Sequence, residues 1–136
     1  MTETLTSTTD AQAVIGGFEA LARGDMAAFA AGFHEDATWN HRNDDPLGGI
    51  HAGRDSIMKF IAESGELTQG TLQAIPGIVL SDGAGHVAVT TNVRASRPDG
   101  RSFDDQQILL FTVEDGQVRS VEQFVGDPTA VTAFWS

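Results

Sequence analysis

Residues 38–46, Thr-Trp-Asn-His-Arg-Asn-Asp-Asp-Pro, concentrate groups able to do chemistry. Trp39 and His41 stand two positions apart, so a strand puts both on one face. The polar run Arg42, Asn43, Asp44 and Asp45 follows and closes at Pro46, which reads as a loop against that strand's end. An imidazole titrates near pH ~6.5 and can take or give a proton at neutral pH. His41 therefore has two readings. It is a general acid or base facing a pocket, or a half-buried strand residue bonded to the acidic loop. Trp39 likewise lines a pocket or packs a wall.

A second set lies in the run Phe103 to Phe111. Alternation puts Phe103, Asp105, Gln107, Leu109 and Phe111 on one face, and Asp104, Gln106, Ile108 and Leu110 on the other. A carboxylate in an apolar cavity has its pKa raised by desolvation unless Arg94 or His41 pairs with it. The plainer reading makes Asp104 and Asp105 solvated residues near a strand end. Arg94 either binds an anionic or carbonyl oxygen or pairs with Asp105. Phe18, Phe29, Phe33 and Phe60 read as core. His34, His41, His51 and His86 show no metal-ligand spacing, so no metal site is expected. The chain has no phosphate-loop, dinucleotide or nucleophile-elbow motif, and no cofactor is expected.

Helices come first among the elements that position these groups. Asp10 reads as an N-cap, with Val14, Ile15, Phe18, Leu21 and Ala22 at helical spacing after it. Gly24 stops that helix, and Asp25 caps a second one carrying Met26, Phe29, Ala30 and Phe33. A short strand is expected over 37–41 and a loop over 42–53. Asp55 or Ser56 caps a third helix with Ile57, Phe60 and Ile61 facing inward. Four strands follow, at about 71–80, 86–95, 101–113 and 117–125. Ser81-Asp82-Gly83, Arg97-Pro98-Asp99-Gly100 and Glu114-Asp115-Gly116 turn between them. Asp127-Pro128 opens a short C-terminal helix or tail over 127–136 that packs Val131, Phe134 and Trp135. Residues 1–9 are expected to fray. Helices followed by an antiparallel meander make an α+β fold.

The chain has 136 residues, expected to form one domain. A net charge of −11 argues against nucleic acid and against an anionic membrane surface. It contains no cysteine, so disulfides, thiolate metal sites and a cysteine nucleophile are excluded. The N-terminal segment has no basic or apolar run of a signal peptide, and no stretch approaches a membrane span. A cytoplasmic location is the expectation.

Three strings carry a resemblance: "FEALARGDMAAFAAGFHEDATW", "GGIHAGRDSIMKFI" and "DGQVRSVEQFVGDPTAVTAFW". They resemble the nuclear transport factor two-like superfamily, and within it the SnoaL-like branch related to polyketide cyclases. The resemblance implies a cone-shaped cystatin-like α+β fold. In it, three N-terminal helices pack on a strongly curved, mostly antiparallel sheet that encloses an apolar pocket. It also implies a homodimer joined through the outer sheet face. Trp39 and His41 fall on pocket-facing positions, and His41 sits where ketosteroid isomerases carry a catalytic Asp. Leu109 falls on an inward position, which turns Asp105 and Gln107 inward as well. The isomerase oxyanion pair is not reproduced: Gly17 and Leu109 stand near those positions, and the chain has no Tyr. Arg94, Asn92 and Gln123 stand nearest the epoxide-hydrolase triad, which is absent too. Near the last strand either Gln123 or Glu122 faces in.

The expectation that follows is a cofactor-independent acid–base enzyme acting on a small apolar molecule. His41 would be the acid or base, with Asp105 orienting or charge-balancing it. Trp39, Asn92, Arg94, Gln107, Leu109 and Gln123 would shape the substrate site. The competing expectation is a ligand- or protein-binding module of the same fold without turnover.

Overall fold

Three of the four described helices lie in the N-terminal half. The computed structural model describes residues 9–136; the expectation of a frayed start falls on residues 1–8, which lie outside the described residues, and on Thr9, which is helical. Helix α1 spans Thr9–Arg23 and α2 Met26–Ala31. Asp25 caps α2 as expected, its carboxylate accepting from the Ala28 amide at 3.1 Å. Asp10 does not precede α1. It lies in the first turn and accepts from the Gly85 amide at 3.1 Å, which ties the helix to a hairpin turn.

Strand β1 runs Phe33–Arg42, longer than expected, and β2 covers Gly49–Ala52 inside the stretch expected to be loop. Helix α3 spans Arg54–Leu67 and starts at Gly53 without a side-chain cap, so neither Asp55 nor Ser56 caps it. The meander then forms as β3 (Gln73–Ser81), β4 (His86–Ser96), β5 (Ser102–Glu114) and β6 (Gln117–Phe124). Helix α4 closes the chain at Pro128–Trp135. Asp127 caps it through the Ala130 amide, and proline stands in its first turn.

The sheet order is β2-β1-β6-β5-β4-β3. Every neighbouring pair is antiparallel except β1 with β6, which run parallel. That pair decides the site, because its register sets His41 beside Gln123. β5 continues the row by pairing Leu109 with Gln123.

One sheet face is buried under the helices. Along β4, Val87, Val89, Thr91, Val93 and Ala95 are inward and buried, while His86, Arg94 and Ser96 are exposed. Ile57 of α3, Val121 of β6 and Val131 of α4 are fully buried, each contributing about 1.5–3 kcal/mol by leaving water. The other face carries exposed Leu80, Ile108 and Phe124.

Candidate functional site

Between the helices and the inner sheet face lies a cavity with about 100 Å³ open to the centres of water molecules. One water needs roughly 10–15 Å³ by that measure, so the space suits an organic molecule. Phe18, Phe29, Phe33, Phe60, Phe103 and Phe111 supply much of its wall. The aromatic groups contact one another in series. Phe29 meets Phe33 edge-on at 5.1 Å, Phe33 meets Trp39 at 6.3 Å, and Trp39 meets Phe60 at 5.7 Å. His51 stacks on the Phe60 ring at 4.2 Å and bonds the Leu47 carbonyl through Nε2 at 2.9 Å.

Among the described residues lining this cavity, His41 is the only one with a titratable side chain. Its residue is 2% exposed. Nε2 donates to Asp45 Oδ2 at 2.8 Å, which sets the hydrogen on Nε2. Nδ1 is buried and has no hydrogen-bond partner among the described residues. The dyad comes from local chain geometry. Asp45 begins a turn with Pro46 second, closed by the Gly48 amide on the Asp45 carbonyl at 2.8 Å. The Leu47 amide also donates to Asp45 Oδ1 at 2.8 Å, and Asn43 Nδ2 donates to Oδ2 at 2.6 Å. Gly48 is required there, because a Cβ would collide with the Asn43 carbonyl. Burial pushes the Asp45 carboxyl up, but hydrogen bonds from His41, Asn43 and Leu47 outweigh it. Asp45 therefore titrates below its ordinary 3.8.

A second polar feature crosses three strands. Trp39 Nε1 donates to Gln123 Oε1 at 2.8 Å, and Gln123 Nε2 donates to Gln107 Oε1 at 2.8 Å. Gln107 Nε2 then donates to Asp105 Oδ2 at 3.1 Å. Asp105 also accepts the Gly126 and Asp127 amides, each at 2.9 Å. This carboxylate thus anchors the corner that leads into α4.

Trp39, His41, Gln107, Leu109 and Gln123 all line the cavity. Gln123 is the inward residue of the last strand. Glu122 faces out, accepting from Arg42 at 2.7 Å and Asn40 at 3.2 Å. Asp105 is buried on the inner face, 6% exposed, but it is not the partner of His41. Its oxygens are taken by backbone amides and Gln107, and the partner is Asp45. Asn92 and Arg94 are a clearer correction. They have the opposite parity to buried Val93 on β4, so both leave the cavity and stand on the outer face. There Arg94 Nη2 donates to Asn92 Oδ1 at 2.9 Å, and Asn92 Nδ2 donates to Asp104 Oδ1 at 2.6 Å. Arg94 therefore neither meets a ligand in the cavity nor pairs with Asp105.

Asp45 is the His41 partner, a residue of the acidic loop that the sequence did not single out. Its signal was the spacing of four from His41 together with an Asp-Pro turn. Ser64 was missed as well; it lines the cavity and donates Oγ to the Ile61 carbonyl at 2.8 Å. His34 bonds Arg119 and His86 bonds Asp82, so the histidines are dispersed. No group of three or more metal-binding side chains occurs among the described residues. No described helix is long and apolar enough to cross a membrane.

The SnoaL-like domain family model matches residues 14–121. The uncharacterized protein Rv0034 of Mycobacterium tuberculosis is 30% identical over 132 residues, covering 97% of this chain and all of the relative. Among solved structures, Bal32a from a soil-derived mobile gene cassette superposes with a TM-score of 0.89 at 29% identity, covering 94% of this chain and 97% of Bal32a. A cystatin-like protein of unknown function from Xanthomonas campestris has a TM-score of 0.88 at 22% identity, covering 95% of this chain and 99% of its own, a likeness of fold alone. With the family match spanning most of its length and the α+β sheet-and-helix architecture agreeing, the chain belongs to the SnoaL-like domain family.

Proposed function

We propose that the chain binds an apolar small molecule in its cavity and moves a proton on it with His41. The observation that carries this reading is the buried Nδ1 of His41, which among the described residues has no partner and stands on a cavity wall whose other lining side chains do not titrate. Asp45 holds the Nε2 hydrogen and leaves the Nδ1 lone pair for the ligand. A single base favours reactions in which one group takes a proton and returns it elsewhere, such as isomerisation or cyclisation. Dehydration and hydrolysis ask more of His41, since no second acid lines the cavity among the described residues. None of these steps calls on a cofactor.

A second reading is binding without turnover. The same scarcity of titratable groups favours it. The two separate in one experiment. Wild type and His41→Ala are screened by thermal shift against polycyclic ketones, lactones, epoxides and hydroxy-enones, and each hit is incubated with protein and its products identified. At 100-fold saturation a ligand adds about 2.7 kcal/mol to stability. Products formed by wild type and not by His41→Ala support the enzyme. Binding by both proteins with no product supports the binder. A screen without any hit overturns both.

The outer sheet face supports a homodimer as part of the same reading. Leu80 is 58% exposed and Ile108 49%, and Leu110 pairs in register with Glu122 beside them.

A further inference from the structure

We propose that the cavity is built for an uncharged carbonyl compound whose oxygen is held by the side-chain amides of Gln107 and Gln123. This rests on the ligand-binding reading above and names its substrate class.

The chemistry at the two ends of the hydrogen-bonded row decides which way each amide points. At one end stands the Trp39 indole, which can only donate. The oxygen of Gln123 must therefore face it. At the other end both Asp105 oxygens already accept backbone amides, so Gln107 must turn its nitrogen there. The amides cannot flip singly without setting donor against donor or acceptor against acceptor. Each amide nitrogen carries two hydrogens and uses one within the row. The second N–H of each has no acceptor among the described residues, and both residues line the cavity. A buried N–H without a partner is much rarer than a carbonyl oxygen with a single bond. The need left unmet at this wall is for an acceptor atom.

Charge narrows the class. Among the described residues no Lys or Arg lines the cavity, and the wall is mostly aromatic and aliphatic. A carboxylate or phosphate would leave water there without a countercharge, at a large desolvation penalty. An uncharged carbonyl oxygen meets the amide hydrogens without that penalty. Register places His41 beside Gln123, so the same molecule can present an acidic hydrogen to Nδ1. Trp39 is then a specificity-determining residue, because its N–H is what orients Gln123.

The test uses four probes of one shape: 2-tetralone, 2-tetralol, tetralin and 2-naphthoate. The chain has two tryptophans, Trp39 and Trp135, and both line the cavity, so intrinsic fluorescence reports binding. The ketone is expected to bind tightest and 2-naphthoate weakest. Its carbonyl stretch should move to lower frequency in the bound state. Gln107→Leu and Gln123→Leu should weaken the ketone roughly two- to tenfold and leave tetralin unchanged. Trp39→Phe should narrow the ratio between ketone and alcohol. If tetralin binds as tightly as the ketone and the stretch is unshifted, the amide subsite is wrong while the apolar cavity stands. If 2-naphthoate matches the ketone, the restriction to uncharged ligands is wrong. If none of the four binds, the cavity reading falls and takes this one with it. The infrared measurement on wild type decides the matter even where a Gln→Leu variant does not fold.

Discussion

His41 and Asp45 share one hydrogen across 2.8 Å, with both side chains almost wholly removed from solvent. The same loop that brings Asp45 back to the strand holds it with the Leu47 amide and the Asn43 side chain. Asn43 in turn donates to Thr132 Oγ1 of α4 at 3.1 Å. The His41 ring is thus fixed in orientation by its loop and by α4, while its Nδ1 is buried without a partner among the described residues.

With a substrate identified, His41→Ala should lower turnover by ~10²–10⁴, the usual contribution of a positioned acid or base. Asp45→Asn should also lower it, because an amide in place of the carboxylate can present a hydrogen to Nε2 and drive the ring hydrogen onto Nδ1. Steady-state kinetics on both variants checks this. A loss of less than a few-fold in His41→Ala removes it from the mechanism.

Asp45 also makes a pH prediction. Its carboxyl titrates below 3.8 when folded, so the unfolded chain binds its proton first as the pH falls. Its stabilising effect is complete well above pH 3.8 and is lost as the pH drops through the lower folded value. At pH 7, Asp45→Asn should be less stable than wild type by about 1.5–3 kcal/mol, the range for hydrogen bonds to a charged group. Urea unfolding at pH 7 and pH 3 measures the gap. It should shrink on acidification, and a widening gap contradicts the lowered pKa.

Asp105 should behave as an anchor. Asp105→Ala strands the Gly126 and Asp127 amides and the Gln107 amide, at a cost of at least about 2 kcal/mol. Gly126→Ala should destabilise the same corner by about 1–3 kcal/mol, since its Cβ would collide with the Gln106 carbonyl. Thermal unfolding reads both. A role for Asp105 in proton transfer would appear instead as lost turnover in a variant of near-native stability.

For the proposed dimer, Leu80→Lys combined with Ile108→Lys should yield monomers in sedimentation equilibrium. Both residues are exposed on the outer face, so the folded subunit should keep its unfolding midpoint apart from the contribution of association. Wild type sedimenting as a monomer removes the proposal.

Periodicity made much of the architecture legible. Turn chemistry separated β3, β4, β5 and β6, and Asp127-Pro128 announced α4. Alternation put Trp39 with His41, and Asp105 with Gln107 and Leu109, on shared faces that proved to be inward. Alternation gives a face only up to a choice of side, however. That is why Arg94 and Asn92, placed by resemblance, came out on the wrong one. β2 was hidden because four residues among glycines carry too little pattern to distinguish a strand from a loop.

The sequence by itself determined the order of the four described helices and of every strand except β2, and the alternation along those strands, though not which side of β4 faces in. These depend on local period and turn chemistry, which act within a few residues. Only the tertiary structure decided what those residues meet. Trp39 and Gln123 bond across 84 positions, and they do so because β1 lies parallel to β6 in one particular register. Asp45 rather than Asp105 reaches His41 because a turn folds back on the end of its strand while the corner before α4 occupies the other carboxylate. Such contacts follow from long-range pairing, which no local period encodes.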